Sequence, residues 1–288
     1  MSDASRIVGM LLAIAGSFCP GGCGRPESLP PGKGLTAGGQ TLTLHLRRQE
    51  AARDQAGHRF WNVVTEARQV PANETAIIIC DVWDKHWSRG ANERVAAIAP
   101  RMNEVVKAAR RRGATIIHAP SETMSFYADA PARLRVKDAP PVQPPKPLPH
   151  GDPPMPVDAS DGGSDTNWGD EKEGRAWTRQ IAAIEIDQQR DGISDSGQEI
   201  YSFLQSKGIR HVIIMGVHTN MCILNRSFAI KQMVRWGMDT VLCRDLTDAM
   251  YNPARPPYVN HEEGTRLVVE YIEKFWCPTI ASDDLIQR

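Results

Sequence analysis

The sequence predicts an α/β protein: a three-layer αβα, Rossmann-like parallel sheet of about six strands in the order 3-2-1-4-5-6. Three observations predict it. Short, continuously apolar runs recur along the chain, as expected of strands covered on both faces. Between them lie stretches with apolar residues at helical spacing. The joints are short, so each strand–helix–strand unit is a right-handed crossover between parallel strands.

The first run is Ala76-Ile-Ile-Ile-Cys-Asp81, a buried strand ending in a carboxylate. Val95, Ile98, Met102, Val105, Val106 and Ala109 then mark a helix, with arginines 110–112 in its last turn and Gly113 as its stop. Residues 114–119 form the second strand. Residues 131–156 hold ten of the 21 prolines, which excludes helix and central strand there. Residues 128–176 read as a long surface insertion, of the kind that covers a site or stays irregular. Ile181–Ile186 is the third strand, residues 194–207 a helix, and His211–Val217 the fourth strand. Met221–Trp236 is a helix stopped by Gly237, and Thr240–Cys243 is the fifth strand. Asn260 with Glu263 three residues on is a capping-box pattern, opening a helix with Leu267, Val268, Tyr271, Ile272 and Phe275 on one face.

Upstream, Thr41–Leu46 alternates polar and apolar residues, a period-2 signal for an edge or accessory strand. Residues 24–40 are linker-like in their glycine and proline. Arg6, the apolar run 7–18 and the small residues after it resemble an export signal, with Ala13-Ile14-Ala15 as a cleavage site. That run is shorter than the roughly 20 residues a membrane span needs. Two readings stand: residues 1–18 direct export to the periplasm or outside, or they are a plain tail on a cytoplasmic protein. The chain divides into a signal and linker over 1–30, an extension over 31–75, and the main domain over 76–288.

Lysine plus arginine and aspartate plus glutamate number 34 each, so the zero net charge gives no pull toward nucleic acid or anionic lipid. A small molecule is the expected partner. The six cysteines show no metal-binding spacing; Cys80 and Cys243 read as core residues.

In such sheets ligands bind outside the carboxyl ends of the strands, where the strand order reverses. Here that point lies between the first and fourth strands. Asp81 ends one, and Cys222 follows the other at a helix start. A thiol in a helix's first turn gains from the unpaired amides there. A nearby carboxylate can act as its base, and the amides of residues 217–222 can hold an oxyanion.

These residues carry a resemblance. An apolar strand ending in Asp, then Gly216-Val217-His218-Thr219-Asn220-Met221-Cys222, resembles the isochorismatase-like cysteine hydrolases, which include nicotinamidases, N-carbamoylsarcosine amidases and isochorismatases; the resemblance covers about residues 76–280. It implies Cys222 as nucleophile, Asp81 as the proton-transfer residue, a cis bond between Val217 and His218, and an oxyanion hole from the amides of His218 and Cys222. It implies hydrolysis of a C–N bond in a small amide through a thioester, and it admits a homo-oligomer, since family members commonly form dimers or tetramers. The other readings are a vinyl-ether hydrolase, in which the aspartate does the acid chemistry, and a binding protein without catalysis.

The sequence departs from the family in its third residue, a lysine after the third strand. Gln189, Arg190 and Lys85 are the candidates for that place, and a guanidinium cannot shuttle protons. The family's zinc pattern, Asp-x-His after the second strand, is absent, so no metal or cofactor is expected; Asp84-x-His86 follows the wrong strand. Trp83, His86, Trp87, His118, Phe126 and Asn220 are the expected pocket residues. Arg226 is read as an anchor for an anionic substrate or as the partner of Asp245 or Asp248.

Overall fold

The computed structural model describes residues 40–286. The proposed signal and most of the linker therefore lie outside the described residues. Among the described residues eight strands form one sheet: β1 (Thr41–Arg53), β2 (Arg59–Pro71), β3 (Thr75–Cys80), β4 (Thr115–Ala119), β5 (Gly192–Ile193), β6 (His211–Val217), β7 (Asp239–Asp248) and β8 (Thr279–Ile280). Their spatial order is β2-β1-β8-β7-β6-β3-β4-β5. The strands from β3 to β8 are parallel and stand in the order 3-2-1-4-5-6, with the reversal between β3 and β6.

The helices are α1 (Arg89–Arg111), α2 (Pro131–Lys137), α3 (Gly197–Ser206), α4 (Cys222–Asn225), α5 (Ile230–Arg235), α6 (His261–Phe275) and α7 (Asp283–Ile286). The period-2 geometry of β3 assigns its residues to two cores. Ile77 and Ile79 pack with Val95, Met102, Val105 and Val106 of α1, whereas Ala76, Ile78 and Cys80 pack with α3, α4, α5 and α6. Complete burial of β3 on both sides explains why its sequence shows no polar alternation. Ser88 caps α1, and Asn260 caps α6 by accepting from the Glu263 amide.

Four expectations are corrected. The third strand is Gly192–Ile193, not Ile181–Ile186, because Ile184 N–H turns back to the Ile181 carbonyl and Gln180 makes only an isolated bridge with Trp83. Helix is not excluded from the proline-rich stretch: Pro131 begins α2 at the first helical turn, where its missing N–H costs nothing. Met221–Trp236 is two short helices, broken where Arg226 turns extended (φ −60°, ψ 152°). The accessory strand is longer than its signal, the first of two 13-residue strands in an antiparallel hairpin that joins the main sheet through Arg47 and Thr279. The second strand of the hairpin, β2, escapes a period-2 reading because only one of its 13 residues is buried.

No helix among the described residues is long and apolar enough to cross a membrane.

Candidate active site

The site lies beyond the carboxyl ends of β3 and β6, which pair in parallel from Thr75↔His211 to Cys80↔Gly216. Close approach at the last pair requires glycine. A Cβ at Gly216 would come to 2.0 Å from the Cys80 carbonyl oxygen, and its φ of +127° disfavours any side chain. Asp81 follows β3 in the left-handed region (φ 51°), an uncommon conformation for a side-chain-bearing residue. The peptide bond Val217–His218 is cis.

Asp81 is completely buried. One carboxylate oxygen accepts the Ser121 amide and the other the Arg226 Nε–H, both at 2.7 Å. Burial pushes its pKa above the usual carboxylate range, while Arg226, Ser121 and Cys222 pull it back. Cys222 lies beside it. Burial and the Asp81 charge push the thiol up to about 12, against the opposing influence of Arg226 and the His218 amide. The resting cysteine therefore carries its proton, and the adjacent carboxylate is the group placed to take it. The expected help from a helix N-terminus is small, because α4 is only four residues long. Arg226 is the cation here. Asp81 pushes its pKa further up, so it stays charged throughout.

Gln189, Arg190 and Lys85 do not take the third position. Gln189 and Arg190 sit in an exposed turn, where Arg190 pairs with Asp187 at 2.6 Å, and Lys85 is exposed in the loop after β3. Arg226 pairs with neither Asp245 nor Asp248: Asp245 holds Ser282, and Asp248 holds Arg94 and His261. Its spacing of four from Cys222, one helical turn, was the available signal.

Asp81, Trp83, His86, Asn92, Val95, Val217 and His218 line a small cavity. Trp177, just after the long insertion, stacks on Trp83 at 4.2 Å between ring centres and on His86 at 5.7 Å. Trp87 flanks His86 at 5.3 Å. His86 Nδ1 accepts the Ser88 amide, so the neutral ring carries its proton on Nε2. Burial lowers the pKa of His86 to about 4 and that of His218 to about 3, so both rings are neutral at physiological pH. Trp177 Nε1 and His218 Nε2 are buried without a hydrogen-bond partner in the protein, which leaves both free for a bound molecule.

The other expected pocket residues lie elsewhere. His118 is sealed in the interior between Gln180 (2.8 Å) and Asp191 (3.1 Å), the latter in turn paired with Arg110. Phe126 is 55% exposed beneath Arg179. Asn220 exchanges hydrogen bonds with the Met250 backbone and shapes the turn before the cysteine. Sequence reasoning missed Trp177 and a bracing network. Asp165 of the insertion and Asp248 of β7 both hold Arg94, and His261 bonds Asp248 at 2.9 Å. The main-chain carbonyl of Asp248 accepts the Thr219 amide, tying this network to the cysteine turn. Ser164 on Ser88 and Thr178 on Asp84 fasten the insertion and the residues just after it to the loop after β3. Among the described residues no group of three or more His, Cys, Asp or Glu side chains is arranged to hold a metal ion.

Comparison with known proteins bears on this geometry. The family model of the isochorismatase domain matches residues 75–255. Among solved structures, the chain is similar to a cysteine hydrolase from Pseudomonas syringae pv. phaseolicola 1448A, with 16% identity and a TM-score of 0.47 over 76% of this chain and 93% of that one. It is also similar to an isochorismatase from Pseudomonas putida KT2440, with 14% identity and a TM-score of 0.44 over 75% of this chain and 91% of that one. No curated protein matches.

Proposed function

The chain belongs to the isochorismatase domain family, and from that premise we propose that it hydrolyses a C–N bond of a small amide through a thioester on Cys222. One observation carries the reading: a buried carboxylate lies beside the thiol and is held by the Arg226 guanidinium at 2.7 Å. In this mechanism Asp81 takes the thiol proton as Sγ attacks the carbonyl carbon. The amides of His218 and Cys222 hold the oxyanion. Collapse breaks the C–N bond, and Asp81 returns its proton to the departing nitrogen. Asp81 then takes a proton from water as the oxygen attacks the thioester; the C–S bond breaks, the acid leaves, and Asp81 returns that proton to the sulfur, restoring the thiol and the carboxylate. Arg226 moves no proton; it stabilises the ionised carboxylate on which both half-reactions begin. It thus supplies a positive charge beside Asp81 in a sequence that lacks the family lysine.

The test is ammonia or amine release from a panel of small primary and N-substituted amides. Cys222→Ala is expected to abolish turnover of every amide the parent protein hydrolyses, and undiminished turnover would sink the mechanism. The upward pressure on the Asp81 pKa favours a second reading, in which the protonated carboxyl protonates a vinyl ether without the cysteine. That activity would survive Cys222→Ala and vanish in Asp81→Asn.

A further inference from the structure

β2 is the outermost strand, and its 13 residues present a free edge: among the described residues nothing pairs with it except β1 on the inner side. Natural edge strands are usually short, bent or strongly charged, because an open edge recruits further strands. This one carries exposed apolar residues instead, with Phe60 46%, Trp61 42% and Val63 49% exposed. Trp61 is ordered against the body, its ring edge-on to Phe275 of α6 at 5.5 Å.

We propose that β2 pairs antiparallel with β2 of a second copy of this chain, about a two-fold axis at Asn62, so that the two sheets become one. The occupant follows from the self-complementarity of the strand. An axis perpendicular to the sheet keeps each face continuous, so facing residues must come from the same face of their strands. With the axis at Asn62, Trp61 faces Val63 of the second copy on one side of the sheet. Phe60 faces Val64 on the other side, and each pair occurs twice. Aromatic residues opposite β-branched ones are favourable cross-strand pairs. His58 faces Glu66 just outside this apolar centre. Neighbouring registers lose the match: an axis at Val63 sets Phe60 against Glu66, and one at Trp61 sets Val63 against Arg59.

Sedimentation velocity of the full chain over a range of concentrations tests the pairing. The expected result is a species of twice the mass of one chain. Asn62 is exposed, so Asn62→Lys should leave the fold intact, as circular dichroism would show. It should also drive the protein to monomer, because two ammonium groups would face each other across the axis. Under mild oxidation, Asn62→Cys should give a cross-linked dimer beyond that of the unsubstituted chain, whereas Ala67→Cys should not. A monomer at all concentrations, a dimer unmoved by Asn62→Lys, or cross-linking at residue 67 in preference to 62 would each overturn the proposal.

Discussion

Replacing Arg226 with methionine keeps most of the aliphatic stem but removes the charge held against Asp81. The carboxylate is completely buried and the arginine side chain is 30% exposed. Breaking a fully buried pair costs about 3–5 kcal/mol, and losing a hydrogen bond to a charged group about 1.5–3 kcal/mol. The partial exposure of Arg226 sets the expected loss near the overlap, at about 3 kcal/mol. At 1.36 kcal/mol per unit, that raises the Asp81 pKa by roughly two further units. The sign with pH follows from linkage. Asp81 is already raised in the folded protein, so its ionised form opposes folding as pH rises through the folded pKa. The substitution enlarges that raise. The variant should therefore lie close to the parent at pH 3, fall behind as pH rises, and reach its full deficit above its new carboxyl pKa. Urea unfolding at pH 3, 5 and 8 measures this, and the same substitution in an Asp81→Asn background should cost much less. A deficit equal at all three pH values, or undiminished by Asp81→Asn, would show that the stem's packing matters and the charge does not.

Three further outcomes follow from the same geometry. Iodoacetamide labelling of Cys222, followed by mass spectrometry, should have its midpoint above pH 10, given a thiol pushed up to about 12; a midpoint at or below the ordinary value of about 8.5 contradicts that burial. Gly216→Ala should destabilise by more than about 2 kcal/mol in urea unfolding, since strain at a special φ and a backbone clash at 2.0 Å act together; a loss under 0.5 kcal/mol would mean that β3 and β6 can separate freely at that pair. Trp177→Phe keeps the ring over Trp83 but removes the unpartnered N–H, so KM for any hydrolysed amide should rise several-fold with kcat nearly unchanged; an unaltered KM would remove Trp177 from substrate binding.

The parallel part of the fold was legible because its strands are buried on both sides. Apolar runs such as Ala76–Cys80 carry that signal without any alternation, and counting them gives the strand order and its reversal. Asp81 and Cys222 could be singled out together for the same reason: both follow strands flanking the reversal. What stayed hidden has other causes. β2 buries almost nothing, so burial leaves no pattern in its sequence. β5 is two residues long, too short for periodicity, while the more apolar Ile181–Ile186 imitates a strand. The break after Asn225 depends on contact with a distant element: Gly197, at the start of α3, donates to Ser227 Oγ, and a Cβ there would come to 2.0 Å from the Ser227 carbonyl oxygen. Trp177 follows the long insertion and is held at the site by side-chain bonds such as Thr178 to Asp84, which leave no periodic pattern in the sequence.

The break after Asn225 also bears on how the site is held. The third strand ends without a cation near Asp81, and the positive charge comes instead from one turn beyond the cysteine, at the C-terminal cap of its own four-residue helix. Cys222 and Arg226 are thus joined by a single turn, closed by the Arg226 amide on the Cys222 carbonyl at 3.1 Å. Any shift of that turn moves thiol and guanidinium together. Asp81 comes from a different strand, so the geometry between it and the other two rests on the register of β3 against β6. Gly216 lies at the last pair of that register, against the carbonyl of Cys80, one residue before Asp81. A glycine that itself moves no proton therefore sets the distance across which Asp81 would exchange protons with the thiol. A permanently charged arginine suits the proposed mechanism, in which it needs only to stay in place while Asp81 carries the protons.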